Sequence, residues 1–138
     1  MNSDNAYGVK SRLSGRFAAD PGIRYGDGSY YLPTRAEIEA IMRASQSDRR
    51  MWLQERFDCD DFAYVLKGEI SAHAYDTEEH RYGLCSGIVW GYFDWIVQPF
   101  HAVNWVLTSD TTLWLIEPQT DAIYPAERCT GGITRLLV

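Results

Sequence analysis

The stretch His101-Ala102-Val103-Asn104-Trp105-Val106-Leu107-Thr108-Ser109-Asp110-Thr111-Thr112-Leu113-Trp114-Leu115-Ile116-Glu117 decides the fold class. Two runs rich in β-branched and aromatic residues, His101 to Thr108 and Thr112 to Glu117, flank Ser109-Asp110, which marks a tight turn. The segment therefore reads as two antiparallel strands. On period two, His101, Val103, Trp105 and Leu107 share one face, expected to point to the core and to the third helix, the one that opens at Asp58 or Cys59. Leu113, Leu115 and Glu117 share a face of the second strand in the same way. A carboxylate in line with two leucines is unfavourable without a partner, and the histidine heading the neighbouring strand is the obvious one.

Outward from this pair, Ile88 to Phe93 reads as a further strand, and shorter ones are expected over Ala122 to Tyr124 and Ile133 to Val138. On the N-terminal side the pattern changes to helices. Tyr30, Tyr31 and Leu32 form a short extended piece ended by Pro33. Thr34, with Glu37 three residues on, has capping-box spacing and opens a helix through Ile38, Ile41 and Met42 to about Ser45. A second helical stretch is expected from Ser47 to Gln54. A third starts at Asp58 or Cys59, with Cys59, Phe62, Ala63, Leu66, Ile70 and Ala74 on one buried stripe. Gly68 within it suggests the close approach of another group. Residues Met1 to about Gly28 show no clear periodicity and read as a loosely structured arm. Helices first and a meander afterwards make an α+β fold, in one domain spanning residues 1–138.

The chain carries a net charge of −6 and has 46% apolar and 14% aromatic residues. That is the composition of a globule with a real core, and it argues against nucleic-acid binding. The three cysteines, Cys59, Cys85 and Cys129, are an odd number without paired spacing, so neither a disulfide framework nor a zinc knuckle is expected. No apolar stretch at the N-terminus suggests a signal peptide or a membrane partner, and a cytoplasmic location with reduced thiols is the expectation.

Chemistry concentrates at three points. Cys59 opens a helix, where the dipole and free N–H groups favour a thiolate and could form an oxyanion hole. His101 heads a strand, and Glu117 ends the next. Cysteine, histidine and carboxylate are a nucleophile, a general base and an orienting group. Leu84-Cys85-Ser86-Gly87 echoes a cell-wall amidase pattern of the NlpC/P60 type, but His101 follows Cys85 too closely, and Cys85 is expected in the sheet. His73 and His80 show no partner pattern and read as structural or solvent-exposed.

The order Cys59, His101, Glu117 on a helix followed by an antiparallel sheet resembles the papain-like arrangement. Cys59-Asp60-Asp61, His101 forty-two positions on and Glu117 sixteen further resemble the C-terminal protease domain of the Marasmius oreades agglutinin, from about Asp58 to Tyr124. The resemblance implies a papain-like fold, with N-terminal helices packed on an antiparallel sheet. It also implies a cysteine hydrolase cleaving peptide or isopeptide amides of a peptide or protein substrate. Asp60, Asp61 and Gln119 would be ligands for calcium or manganese, oxygen donors that suit hard cations. Asp121 could add a ligand or serve as a turn residue. Gln54, five residues before Cys59, is the oxyanion-hole candidate. The agglutinin's sugar-binding β-trefoil is absent from this chain, so carbohydrate binding is not implied. Two other readings are a non-catalytic interaction or inhibitor module on the same scaffold, and a transglutaminase-like acyl transferase.

Overall fold

The structure is a computed structural model that describes residues 3–14, 23–24, 26–78, 80–97 and 100–137. Strands β1 (Ser3–Asn5) and β3 (Ser29–Tyr31) pair as a small antiparallel ribbon around helix α1 (Ala6–Ser14). Helices α2 (Arg35–Ala44) and α3 (Cys59–Asp76) follow. A six-stranded sheet has the order β2-β8-β4-β5-β6-β7, from β2 (Ile23–Arg24), β4 (Ser86–Phe93), β5 (His101–Leu107), β6 (Leu113–Glu117), β7 (Ala122–Pro125) and β8 (Cys129–Leu137). All its pairings are antiparallel except β2 with β8. The α+β class holds. Among the described residues, no helix is long and apolar enough to cross a membrane.

Capping sets the helix starts. The Thr34 hydroxyl accepts the Glu37 N–H at 3.1 Å, and α2 then buries Ile38, Ile41 and Met42. Asp58 caps α3, and its own N–H is accepted by the Asp61 carboxylate at 3.2 Å. The stripe Phe62, Ala63, Leu66 and Ile70 is buried as its spacing requires. The turn in the opening stretch closes through Thr108 N–H to the Thr112 carbonyl, and Asp110 accepts from both the Thr108 hydroxyl and the Thr112 N–H.

Every residue of β5 is buried, because both faces of this central strand are covered. Val103, Trp105 and Leu107 join Leu113, Leu115, Tyr30, Leu32 and the α1 residues Val9 and Leu13 in one cluster. Val106 and Ile116 join α2 and α3 in a second, and Ala102 packs with Ala63, Ile88 and Cys59 in a third. The buried Asn104 ties the layers by donating to the carbonyls of Ala63 (2.8 Å) and Gly87 (3.4 Å).

Several expectations are corrected. The face of β5 with Val103, Trp105 and Leu107 packs on α1, not on α3; burial on both sides made its alternation uninformative about which layer it meets. The expected arm is ordered over 3–14, because Val9 and Leu13 are fully buried; residues 15–22 lie outside the described residues. Only Ser47–Arg49 of the second helical stretch is helical, as a single 3-10 turn; the chain then turns, with the Arg56 and Phe57 N–H groups bonding the Leu53 carbonyl. A side chain at Gly68 would meet open space, so nothing approaches closely there. The last strand begins at Cys129 rather than Ile133, and Val138 lies outside the described residues.

Candidate functional site

Cys59, His101 and Glu117 each stand at an element terminus: Cys59 is the first residue of α3, His101 the first of β5, Glu117 the last of β6. The ladder pairs Asn104 with Ile116 and Trp105 with Leu115, and continuing that register brings Glu117 level with Val103. Glu117 is thus diagonal to His101 on the same face, within reach of a long side chain. His101 Nε2 and Glu117 Oε2 lie 2.7 Å apart, with both residues buried. The Trp95 indole N–H donates to the same oxygen at 3.2 Å, and the Gln119 backbone N–H donates to Oε1 at 3.3 Å. The carboxylate is therefore held by three donors. Sequence reasoning missed Trp95; it follows the end of β4 and belongs to no periodic pattern. Its ring is fixed by stacking on Tyr124 at 4.2 Å.

With Nε2 committed to Glu117, Nδ1 is the ring atom left for Cys59. It has no partner in hydrogen-bonding geometry among the described residues. The Cys59 side chain is nonetheless close enough to act on the imidazole. Burial is the largest single influence on His101 and lowers its pKa, but Cys59 and Glu117 together outweigh it and raise the pKa to about 9. The ring, set between a thiol and a carboxylate, holds its proton more tightly than a free imidazole does.

The other two cysteines are unlike Cys59. Cys85 is fully buried, and burial pushes its thiol up to about 12. Cys129 is half-buried, and burial raises its pKa as well. Gln54 is exposed in the turn before Phe57, not on a helix.

The acidic residues beside Cys59 are arranged differently from the expected ligand set. The Asp61 carboxylate is engaged as a cap on the Asp58 N–H. Asp60 instead shares a hydrogen bond with the Asp58 side chain, which, with burial and the like charge of Asp58, raises its pKa. Ligand atoms of Asp58, Cys59 and Asp60 lie within 4.8 Å of one another. Two converging carboxylates that compete for a proton are a donor set that a hard divalent cation fits. Asp121 has positive φ (61°), and burial together with Asp48 and Glu69 raises its pKa to about 6.

A thiol at a helix N-terminus lies beside an imidazole that a buried carboxylate holds. This arrangement can form a covalent bond to an electrophilic carbon and supply a proton to a departing group.

Comparison with solved structures gives two close likenesses, each 26% identical and each covering 100% of this chain. The structure of PSL1a in complex with E64 superposes with a TM-score of 0.86. The lectin of Polyporus squamosus, bound to the human-type influenza-binding epitope Neu5Acα2-6Galβ1-4GlcNAc, superposes with a TM-score of 0.83. This chain spans 50% of the length of either. Comparison with curated proteins finds no match. These relatives correct the expectation of a hydrolase, a cysteine (thiol) protease with a peptide or protein substrate: a sialylated glycan, not a peptide, is the partner of the solved lectin. The reason for the error is physical. A cysteine, a histidine and a glutamate in register specify sulfur chemistry, but nothing in their spacing specifies a substrate, which came from the resemblance alone. A model of the agglutinin C-terminal family matches residues 30–123, more than half of the chain, and the protein belongs to that family.

Proposed function

We propose that this domain is an interaction module on a papain-like scaffold, in which Cys59 is a nucleophilic anchor for an acyl-type ligand. The observation that carries the reading is the 2.7 Å contact between the buried His101 and Glu117, with the remaining ring nitrogen left for Cys59. A buried carboxylate triply held by donors is an expensive feature to build for packing alone. The Cys59 thiolate attacks the acyl carbon, a sulfur–carbon bond forms, and the leaving group departs with the imidazolium proton. Of the first-turn N–H groups of α3, those of Asp60, Asp61 and Phe62 already serve the Asp58 and Asp60 side chains and the Asp58 carbonyl, which leaves the Cys59 N–H as the donor for the oxygen on which charge develops. The product is a thioester on Cys59. An amine acceptor can later take the acyl group, in the manner of a transglutaminase-like transfer, giving its proton to His101 as the sulfur leaves.

Calcium or manganese fits beside this centre on the carboxylates of Asp58 and Asp60, rather than on Asp60 and Asp61; Gln119 stands near through its backbone N–H on Glu117. Such a cation would supply positive charge that relieves the Asp58–Asp60 repulsion.

The test is intact-mass measurement after incubation with an activated acyl ester. One acyl group on Cys59, absent from Cys59→Ala and strongly slowed in His101→Ala, supports the reading. No adduct, or acylation spread over Cys85 and Cys129, overturns it. A second reading, recognition of a sialylated glycan, is favoured by the Polyporus squamosus lectin. Saturable heat on titrating that trisaccharide into wild type and Cys59→Ala alike would decide for it.

A further inference from the structure

We propose that Glu37, His73 and His80 form a transition-metal site of the class that takes zinc, separate from the Cys59 centre. The chain has three histidines. One serves Glu117, and the other two converge on a single oxygen. His73 Nε2 lies 3.1 Å and His80 Nε2 3.0 Å from Glu37 Oε1, and one ligand atom from each residue falls within 4.8 Å of the others. Donors bound to one zinc at 2.0–2.1 Å in a tetrahedron stand about 3.3 Å apart, so the two Glu37–histidine separations need to change by only a few tenths of an ångström to admit a cation. Two imidazoles and a carboxylate are intermediate ligands that suit zinc and its neighbours better than calcium.

The surroundings hold the donors in place. Tyr31 stacks on the His80 ring with centroids 3.9 Å apart, and its hydroxyl donates to Glu37 Oε2 at 3.3 Å. That contact keeps the second carboxylate oxygen out of the cluster and turns Oε1 toward the imidazoles. The His80 side chain is only 7% exposed. Its Nδ1 has no hydrogen-bond partner among the described residues, so its placement rests on the stacking and on Nε2 aimed at Glu37. The His73 side chain is 34% exposed, which leaves an entry path and room for water as a fourth ligand. Thr77 Oγ1, at 3.3 Å from His73 Nε2, is a neighbour that can shift its bond on metal entry.

The three ligands come from the first turn of α2, the last turn of α3 and the loop beyond it. A bound cation therefore staples these elements at the end of α3 opposite Cys59, about 21 Å away along the helix axis. Its binding should raise stability without engaging the thiol.

Because Asp58, Cys59 and Asp60 could also attract zinc, the experiment uses the full-length Cys59→Ala protein, stripped with chelator and titrated with zinc alone by calorimetry. The expected result is one equivalent bound. His73→Gln and, separately, Glu37→Gln should each weaken binding at least tenfold, with far-UV circular dichroism unchanged. Cobalt in place of zinc should give tetrahedral absorption without a thiolate charge-transfer band. Failure of the Cys59→Ala protein to bind zinc, or binding equally tight in both variants, overturns the proposal. Because the thiol is absent throughout, neither outcome bears on the acyl-anchor reading.

Discussion

Raising the pH should strip stability from this fold through His101, and the amount can be worked out. Its imidazole is raised from the ordinary 6.5 to about 9 by Cys59 and Glu117, against the opposing pull of burial. A group whose folded pKa lies above its unfolded value stabilises fully below the unfolded pKa, and loses that contribution as pH rises through the folded one. The window is therefore pH 6.5 to 9. The gap of about 2.5 at 1.36 kcal/mol each caps the loss at about 3 to 4 kcal/mol, of which about 3 kcal/mol falls between pH 6 and pH 9.5. With an unfolding entropy near 2.1 cal/mol/K per residue over 138 residues, that is a fall in Tm of about 10 °C between pH 6 and pH 9.5. Cys85, raised to about 12, adds to the decline only above the ordinary thiol range, near pH 9. Urea melts at half-unit intervals, for wild type and His101→Gln, measure the slope. Wild type should lose stability across the window, and the variant, though less stable at pH 6 because Glu117 is left buried without its partner, should be nearly flat. Wild-type stability that is flat, or that rises from pH 5.5 to 7.5 as for a histidine buried neutral, would refute the ion-paired site.

Other consequences concern packing and metal. Asn104→Ala removes the donor to the Ala63 and Gly87 carbonyls and should destabilise by about 1–3 kcal/mol in urea melts, leaving buried acceptors unmet; an unchanged midpoint would mean the amide does not tie α3 to the sheet. Calcium at a hundred times its Kd should stabilise by about 2.7 kcal/mol. Asp58→Asn with Asp60→Asn should abolish that gain, whereas Asp61→Asn should instead lower stability with and without calcium through its lost cap.

Much of this was legible because local signals and tertiary outcome agree. Thr34 with Glu37, and Asp58 with Asp61, mark the helix starts in sequence and cap them in space. The hairpin around Ser109-Asp110 could be read because its turn chemistry is local. Cys59, His101 and Glu117 could be singled out because each lies where an element begins or ends, and the structure places each of them at such a terminus. What failed was whatever depends on the opposite layer. Val9 and Leu13 carry too little pattern to announce that α1 covers a face of the sheet, and so the Val103–Leu107 face was assigned to the wrong neighbour. Trp95 and the Glu37–His73–His80 cluster join residues 22 to 43 positions apart, across loops whose paths no periodicity encodes. Substrate was illegible for a related reason: the triad geometry sets what the sulfur can do, not what it meets.

The central claim is that Cys59 is a nucleophile made ready by His101. Competitive labelling with limiting iodoacetamide at pH 7, read by peptide mass spectrometry, tests it most directly, since all three thiols compete in one tube. Cys59 should react at least tenfold faster than Cys85, whose thiol is buried and raised to about 12, and than the half-buried Cys129, and His101→Ala should remove most of that advantage. Equal rates at Cys59 and Cys129, or a Cys59 rate indifferent to His101→Ala, would contradict the account.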